Sequence, residues 1–200
     1  MRFVWVDAGN NASWAQLQAH GITGEFYAAN DPAAAVKQRL DDSKARRHAA
    51  GIYGAWNWID GDGEEFAEWL DDRVGQIVPS PTAAFPKVQL NNERHDADDI
   101  LRMLRRWRAL RPKQDTSWTM EGGQGGWMSP AFVDEVMKLK VRVVPQLYNG
   151  AMTEAWDSLT FARDLTKRGF PDALISPFYD ASRLPVGWDG FAFTQGRLSP

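Results

Sequence analysis

Four carboxylates in this chain stand behind short apolar runs: Asp7 after Val4-Trp5-Val6, Glu93 after Val88-Gln89-Leu90-Asn91-Asn92, Glu121 after Trp118-Thr119-Met120, and Asp180 just after the run ending at Phe178. Carboxyl groups that face one cleft are the equipment for hydrolysing a glycosidic bond. One stays protonated to donate to the leaving oxygen, while another attacks or stabilises the sugar cation. Glu93 is the first choice for the acid, and Asp7, Glu121 and Asp180 are the other carboxylate candidates. Each has a plainer reading beside this one. Glu93 next to Arg94 suits a solvated loop, and Asp7 or Asp180 suits a cap on a following helix or turn. The glycines of Gly122-Gly123-Gln124-Gly125-Gly126 suit a plain turn as well as a loop passing close to a ligand.

Other polar residues at or near the ends of such runs, namely Asn57, Gln146, Tyr148 and Tyr179, have the right groups to hydrogen-bond a substrate. Ten tryptophans among 200 residues add flat faces. An indole stacks on a sugar ring much as it packs on any apolar surface, so position has to separate the two uses. Trp56, Trp118 and Trp188 fall at or beyond run ends and join the substrate-binding candidates, as Trp58 and Trp127 do more loosely. Trp5 lies inside a run and Trp69, Trp107 and Trp156 lie within helical patterns, which favours packing.

The elements that would position these residues alternate between strand and helix. Strands are expected at Phe3–Asp7, Gly24–Ala28, Gly51–Asn57, Lys87–Asn91, Ser117–Glu121, Arg142–Leu147, Ala173–Phe178 and Gly190–Thr194. Strands joined by crossover helices run parallel, and residues that end parallel barrel strands converge on one face. Asp31-Pro32 opens one helix, with Pro expected at its first helical position. Phe66, Leu70, Val74 and Ile77 form one apolar stripe, and Ile100, Leu104, Trp107 and Leu110 form another behind the acidic first turn Asp96, Asp98 and Asp99. Ser129-Pro130 starts a further helix, and Thr153–Gly169 reads as the sixth, capped by Gly169. Too few residues separate the last two strands for a helix. The expected fold is therefore α/β, an irregular (β/α)8 TIM-type barrel whose late strands lack helices, in a single domain over residues 1–200. At 200 residues it is a trimmed one, since roughly 250 are usual.

Composition narrows the chemistry. A net charge of −3 argues against gripping nucleic acid or anionic lipid. Arg102, Arg105, Arg106, Arg108 and Arg111 read as the solvated face of an outer helix offset by its acidic start. The chain has no cysteine, and His20, His48 and His95 are scattered, so no metal site is expected. Neither a dinucleotide or phosphate loop nor a Gly-x-Ser-x-Gly elbow occurs, so no cofactor is expected. The N-terminal run is too short for a secretory signal, and no stretch is long enough to span a membrane, which suggests a protein cytoplasmic as synthesised.

Val6-Asp7-Ala8, then Trp14, Leu17 and Gly21 before Phe26-Tyr27-Ala28, resemble the opening of family 25 glycoside hydrolases, the lysozyme-like muramidases often carried by phages. Gly51-Ile52-Tyr53-Gly54 and Lys87-Val88-Gln89-Leu90-Asn91-Asn92-Glu93 look like the third and fourth strands of that family. The resemblance implies an irregular barrel acting on a cell-wall glycan, with an Asp-x-Glu pair ending strand four. Glu93 matches its proton donor, but Asn91 stands at the aspartate. An amide still hydrogen-bonds an acetamido group, yet it supplies no negative charge, and such charge is often the largest contribution to catalysis. Asn92-Glu93 also looks like the Asn-Glu pair of the large retaining-glycosidase clan, where the nucleophile lies on strand seven and Asp180 is the nearest acid. Two functions follow: a wall hydrolase, or a catalytically impaired glycan-binding or structural part of a virion, with other virion proteins as partners.

Overall fold

Short apolar runs become strands in this chain, and striped polar runs become the helices that cover them. The computed structural model describes residues 2–6, 18–19, 21–82, 85–92, 96–121, 128–146, 165–170, 178–180 and 190–193. Its strands are β1 (Arg2–Val6), β2 (Gly24–Ala28), β3 (Ala49–Ala55), β4 (Lys87–Asn92), β5 (Thr116–Glu121), β6 (Arg142–Gln146), β7 (Phe178–Asp180) and β8 (Gly190–Phe193). Among the described residues they are accompanied by the helices α1 (Ala33–Ala45), α2 (Gly63–Ile77), α3 (Ala97–Leu110) and α4 (Pro130–Lys138). Strands β1 to β6 pair in parallel and in sequence order, which with these helices makes a curled α/β sheet of TIM type. A single pair, Gln146 with Phe178, joins β7 to β6, while β8 pairs with both β7 and β1.

The two-residue period of the strands sorts their side chains into two cores. Phe3, Trp5, Phe26, Ala28, Tyr53 and Val144 pack together inside the curl. Val4, Tyr27, Ile52, Leu90, Trp118 and Val143 take the alternate positions and join the helices in a larger outer core. Glycine at position 51 lets Phe26 fill the interior, because a Cβ there would come within 2.4 Å of its ring.

Helix starts follow their sequence signals. Asp62 and Glu65 form a reciprocal capping box on α2, with bonds of 3.0 and 2.9 Å, and the stripe Phe66, Leu70, Val74 and Ile77 is fully buried. Asp96 caps α3 by accepting from the Asp99 amide, and Ser129 caps α4 by accepting from the Phe132 amide. Gly169 adopts the left-handed conformation, φ 106°, that suits a helix-ending glycine. Pro32 departs from expectation. It occupies the cap position with an extended ψ of 123°, and α1 begins one residue later. The third strand also ends earlier than expected, at Ala55, because Trp56–Trp58 turn into a short 3-10 helix. Of the seventh strand only Phe178 coincides with the expected range; residues 173–177 lie outside the described residues, as does most of the sixth helix.

The five arginines of the α3 segment are engaged locally. Arg102 pairs with Asp99 at 2.6 Å, Arg105 with Glu135 at 2.8 Å, Arg106 with Glu68 at 2.7 Å and Arg111 with Asp71. Arg108 instead donates to the carbonyls of Leu139 at 3.0 Å and Gln114 at 2.9 Å. Bonds from Lys138 and Arg105 lower the Glu135 carboxyl to about 2, so its charge is kept across the physiological range. These contacts tie α3 to its neighbours on both sides. Among the described residues no helix is long and apolar enough to cross a membrane.

One buried acid makes stability depend on pH. Glu25 of β2 is fully buried and accepts from the Tyr27 hydroxyl at 2.6 Å and from Arg39 of α1 at 3.3 Å. Burial raises its pKa, more than Tyr27 and Arg39 lower it. The unfolded chain therefore ionises first as pH rises. The folded state holds more protons in that window, and the contribution of Glu25 is present below the ordinary carboxylate pKa and lost as pH climbs through its raised value. Glu25→Gln keeps an acceptor for Tyr27 and removes the ionisation. Thermal melts between pH 4 and pH 8 are expected to show a flatter profile for Glu25→Gln than for the parent, and identical slopes would contradict this origin.

Candidate functional site

Parallel strands bring all their C-terminal ends to one edge of the sheet, so register decides which polar residues meet there. Asn91 of β4 pairs with Ala55 of β3 on one side and Thr119 of β5 on the other. Asn92 pairs with Met120, and Glu121 at the end of β5 pairs with Gln146 at the end of β6. Asp180 ends β7 opposite Phe193, which in turn pairs with Trp5. Asn91, Asn92, Glu121, Gln146, Tyr179 and Asp180 thus hold neighbouring positions at one end of the sheet. Asp7, Glu93, Tyr148 and Trp188 lie outside the described residues, although Asp7 directly follows β1 and Glu93 directly follows β4.

Beneath these ends lies a floor of aromatic and neutral polar groups. Trp5 stacks on Tyr53 with centroids 4.2 Å apart and planes 4° from parallel, and its indole N–H donates to Gln89 Oε1. Gln89 and Thr119 are fully buried, and Asn91 is only 6% exposed. Among the described residues neither Gln89 Nε2 nor Thr119 Oγ1 has a hydrogen-bond partner. Buried polar atoms are normally paired, and leaving one unpaired costs about 1–3 kcal/mol. Thr119 is the register partner of Asn91 and Gln89 precedes Asn91 by two residues on β4, so the three share the upper interior of β4 and β5.

Two of the tryptophans expected to bind substrate belong to the packing instead. Trp118 pairs with Leu90 and Val143, which puts it on the outward face of β5, where it is fully buried against Phe132 of α4 at 5.9 Å. Trp56 stacks on Phe66 of α2 at 5.8 Å and gives its indole N–H to the Gly61 carbonyl at 2.9 Å, with 1% of its surface exposed. Asn57 is exposed, but on the 3-10 turn rather than at a strand end. Sequence reasoning passed over Gln89 and Thr119. The two-residue spacing Gln89-x-Asn91 places both amides on one side of β4, and Thr119 joins them only through the register of β5. Among the described residues no group of three His, Asp or Glu side chains is placed to hold a metal ion.

Fold and register together define a parallel, TIM-type α/β sheet with a polar mouth at the C-terminal ends of its strands. Neither family models nor curated protein sequences match the chain. Among solved structures it is similar to the modular autolysin LytC from Streptococcus pneumoniae, with a TM-score of 0.53 and 9% identity over 76% of this chain and 38% of that one. It is also similar to active domain 2 of a thermostable chitinase from Pyrococcus furiosus, solved as catalytic-site mutants with chito-oligosaccharides. There the TM-score is 0.56 and the identity 15%, over 96% of this chain and 82% of that one. Likeness at these identities is one of fold. The chain spans well under half the length of the autolysin.

Proposed function

We propose that this chain is a glycoside hydrolase-like barrel that acts on peptidoglycan or a related N-acetylhexosamine glycan at the C-terminal ends of its strands. The observation that carries the proposal is the end of β4, where Asn91 sits between Ala55 and Thr119 over a neutral polar floor, two residues ahead of Glu93. The fold neighbours named as an autolysin and a chitinase agree with it, and so does the resemblance to family 25 muramidases. On this reading the sheet is a complete but irregular (β/α)8 barrel. Glu93 protonates the leaving oxygen and Asn91 hydrogen-bonds the acetamido group. Asp7, Glu121 or Asp180 supplies the negative charge that Asn91 lacks. A carboxylate about 5 Å from Glu93 would serve as nucleophile, and one at about 6.5–9.5 Å would activate water.

The test is the release of reducing ends from peptidoglycan and from chito-oligosaccharides. Removing a general acid costs about 10²–10⁴ in rate, so Glu93→Gln is expected to lose at least that lower factor while melting like the parent. Equal rates for parent and variant would remove Glu93 from the mechanism.

A second reading has its own support. Asn91, Gln89 and Thr119 together bring hydrogen bonds but no charge to the floor, which suits a barrel that holds a glycan without cleaving it. Such a protein would serve as a glycan-binding or structural component, in a virion if the family 25 resemblance extends to its phage members. Saturable glycan titration without turnover, together with copurification with assembled particles, distinguishes this reading from the first.

A further inference from the structure

Of the three described tryptophans near strand ends, Trp56 and Trp118 are buried and Trp58 is partly exposed. It closes the 3-10 turn that follows β3. Its ring lies 5.4 Å from that of Tyr53, which belongs to the inner core, and 6.2 Å from that of Trp69, which belongs to α2 outside the sheet. A ring that touches an inner residue on one side and an outer-layer residue on the other lies across the rim. The turn also packs against β4, the strand that ends in Asn91 and Asn92. The solvent-facing part of Trp58 is thus next to the polar mouth.

Its polar edge points to the same use. Trp5, Trp56 and Trp107 each give the indole N–H to a group within the chain, Gln89, the Gly61 carbonyl and Thr116. The Trp58 N–H has no hydrogen-bond partner among the described residues. Tryptophan placed with an apolar body packed and a polar edge free suits a ligand that offers both a C–H face and hydroxyl groups. A pyranose ring is such a ligand.

We propose that Trp58 is the stacking platform of the glycan site, carrying one pyranose ring of the substrate on its exposed side beside the end of β4. This rests on the glycan reading given above and assigns it a binding residue. Contacts with Tyr53 and Trp69 hold the indole, so the platform is formed before the sugar arrives, which limits the ordering cost of binding. Stacking adds affinity for substrate without touching the bond that breaks.

The probe is the tetrasaccharide of β-1,4-linked N-acetylglucosamine, titrated into the whole chain by calorimetry and by near-ultraviolet difference absorption. Trp58→Ala is expected to weaken binding about tenfold, and Trp58→Phe, which keeps a ring, by only about threefold. Tetrasaccharide should perturb indole absorption in the parent, and the perturbation should largely vanish in Trp58→Phe even though that variant still binds. A merely structural role would lower the melting temperature of Trp58→Ala and leave the spectral change in Trp58→Phe intact. Parent-like affinity in both variants, or a persisting indole signal in Trp58→Phe, overturns the platform and leaves the glycan reading standing. If the parent itself binds no tetrasaccharide, both fall together.

Discussion

Asn91→Asp is expected to raise the rate of glycan cleavage by about 10²–10³, the scale on which a preorganised charge or donor acts on a transition state. The substitution leaves shape almost unchanged and places a carboxylate two residues from Glu93, where a sugar cation would develop. Its cost is burial. Asn91 is 6% exposed, and a carboxylate at that depth is desolvated, which raises its pKa and lowers stability. The same floor reduces that cost, because Gln89 Nε2 and the Thr119 hydroxyl are donors on adjoining positions with no partner among the described residues. Desolvation therefore predicts that the gain in rate appears only as pH rises through the raised pKa of the new acid, giving Asn91→Asp a steeper acid limb than the parent. Initial rates on chito-oligosaccharides across pH 4 to pH 8 measure both effects. A gain of less than about threefold at every pH would mean that charge at this position is not what limits the chain.

Trp118→Ala carries the largest expected loss of stability, about 3–5 kcal/mol, with little change in glycan affinity once the variant is folded. The indole is fully buried between β5 and α4, against Phe132 and within the outer core. Removing it leaves a large cavity in a layer that holds a helix to the sheet. Trp118→Phe is expected to cost much less, because its indole N–H has no hydrogen-bond partner among the described residues. Urea unfolding reads the stability, and tetrasaccharide titration below the unfolding transition reads the affinity. A large loss of affinity with unchanged stability would restore Trp118 to the ligand and contradict its place in the outer core.

The contrast between Trp118 and Trp58 shows what the chain order revealed and what it hid. Both are tryptophans near strand ends, and composition treats them alike. Trp118 alternates with Thr119, so the strand period puts it on the face opposite Thr119 and, through register, opposite Asn91. That step was available from sequence once β5 was placed. Trp58 is different, because its position depends on where β3 stops. Trp56 is as apolar as the strand before it, so the run reads on to Asn57, whereas the backbone turns after Ala55. No periodicity marks that turn. Helices α2 and α3 were legible because each combines an acidic cap with a stripe that repeats once per turn. Pro32 was harder to place, since its fixed φ suits the cap and the first helical position equally.

Within the candidate site, β4 was the most legible element. Its expected range, Lys87–Asn91, falls one residue short of the observed strand, which ends at Asn92, so Asn91 is its penultimate residue. Gln89 drew no attention because a glutamine within an apolar run carries no charge to single it out. Its burial, its bond from Trp5 and its unpaired amide nitrogen emerge only from packing. Asp7 and Glu93 lie outside the described residues, and their roles belong to the proposal alone.

Backbone amide shifts of the whole chain, followed by NMR as the N-acetylglucosamine tetrasaccharide is added, test the central claim most directly. The account predicts saturable changes concentrated at Ala55–Trp58, Asn91–Asn92 and Thr119–Glu121, the C-terminal ends of β3, β4 and β5 with the turn that carries Trp58. Changes confined to the opposite end of the sheet, around Gly24, Ala49, Lys87 and Arg142, would contradict it. So would a spectrum that the sugar leaves unmoved.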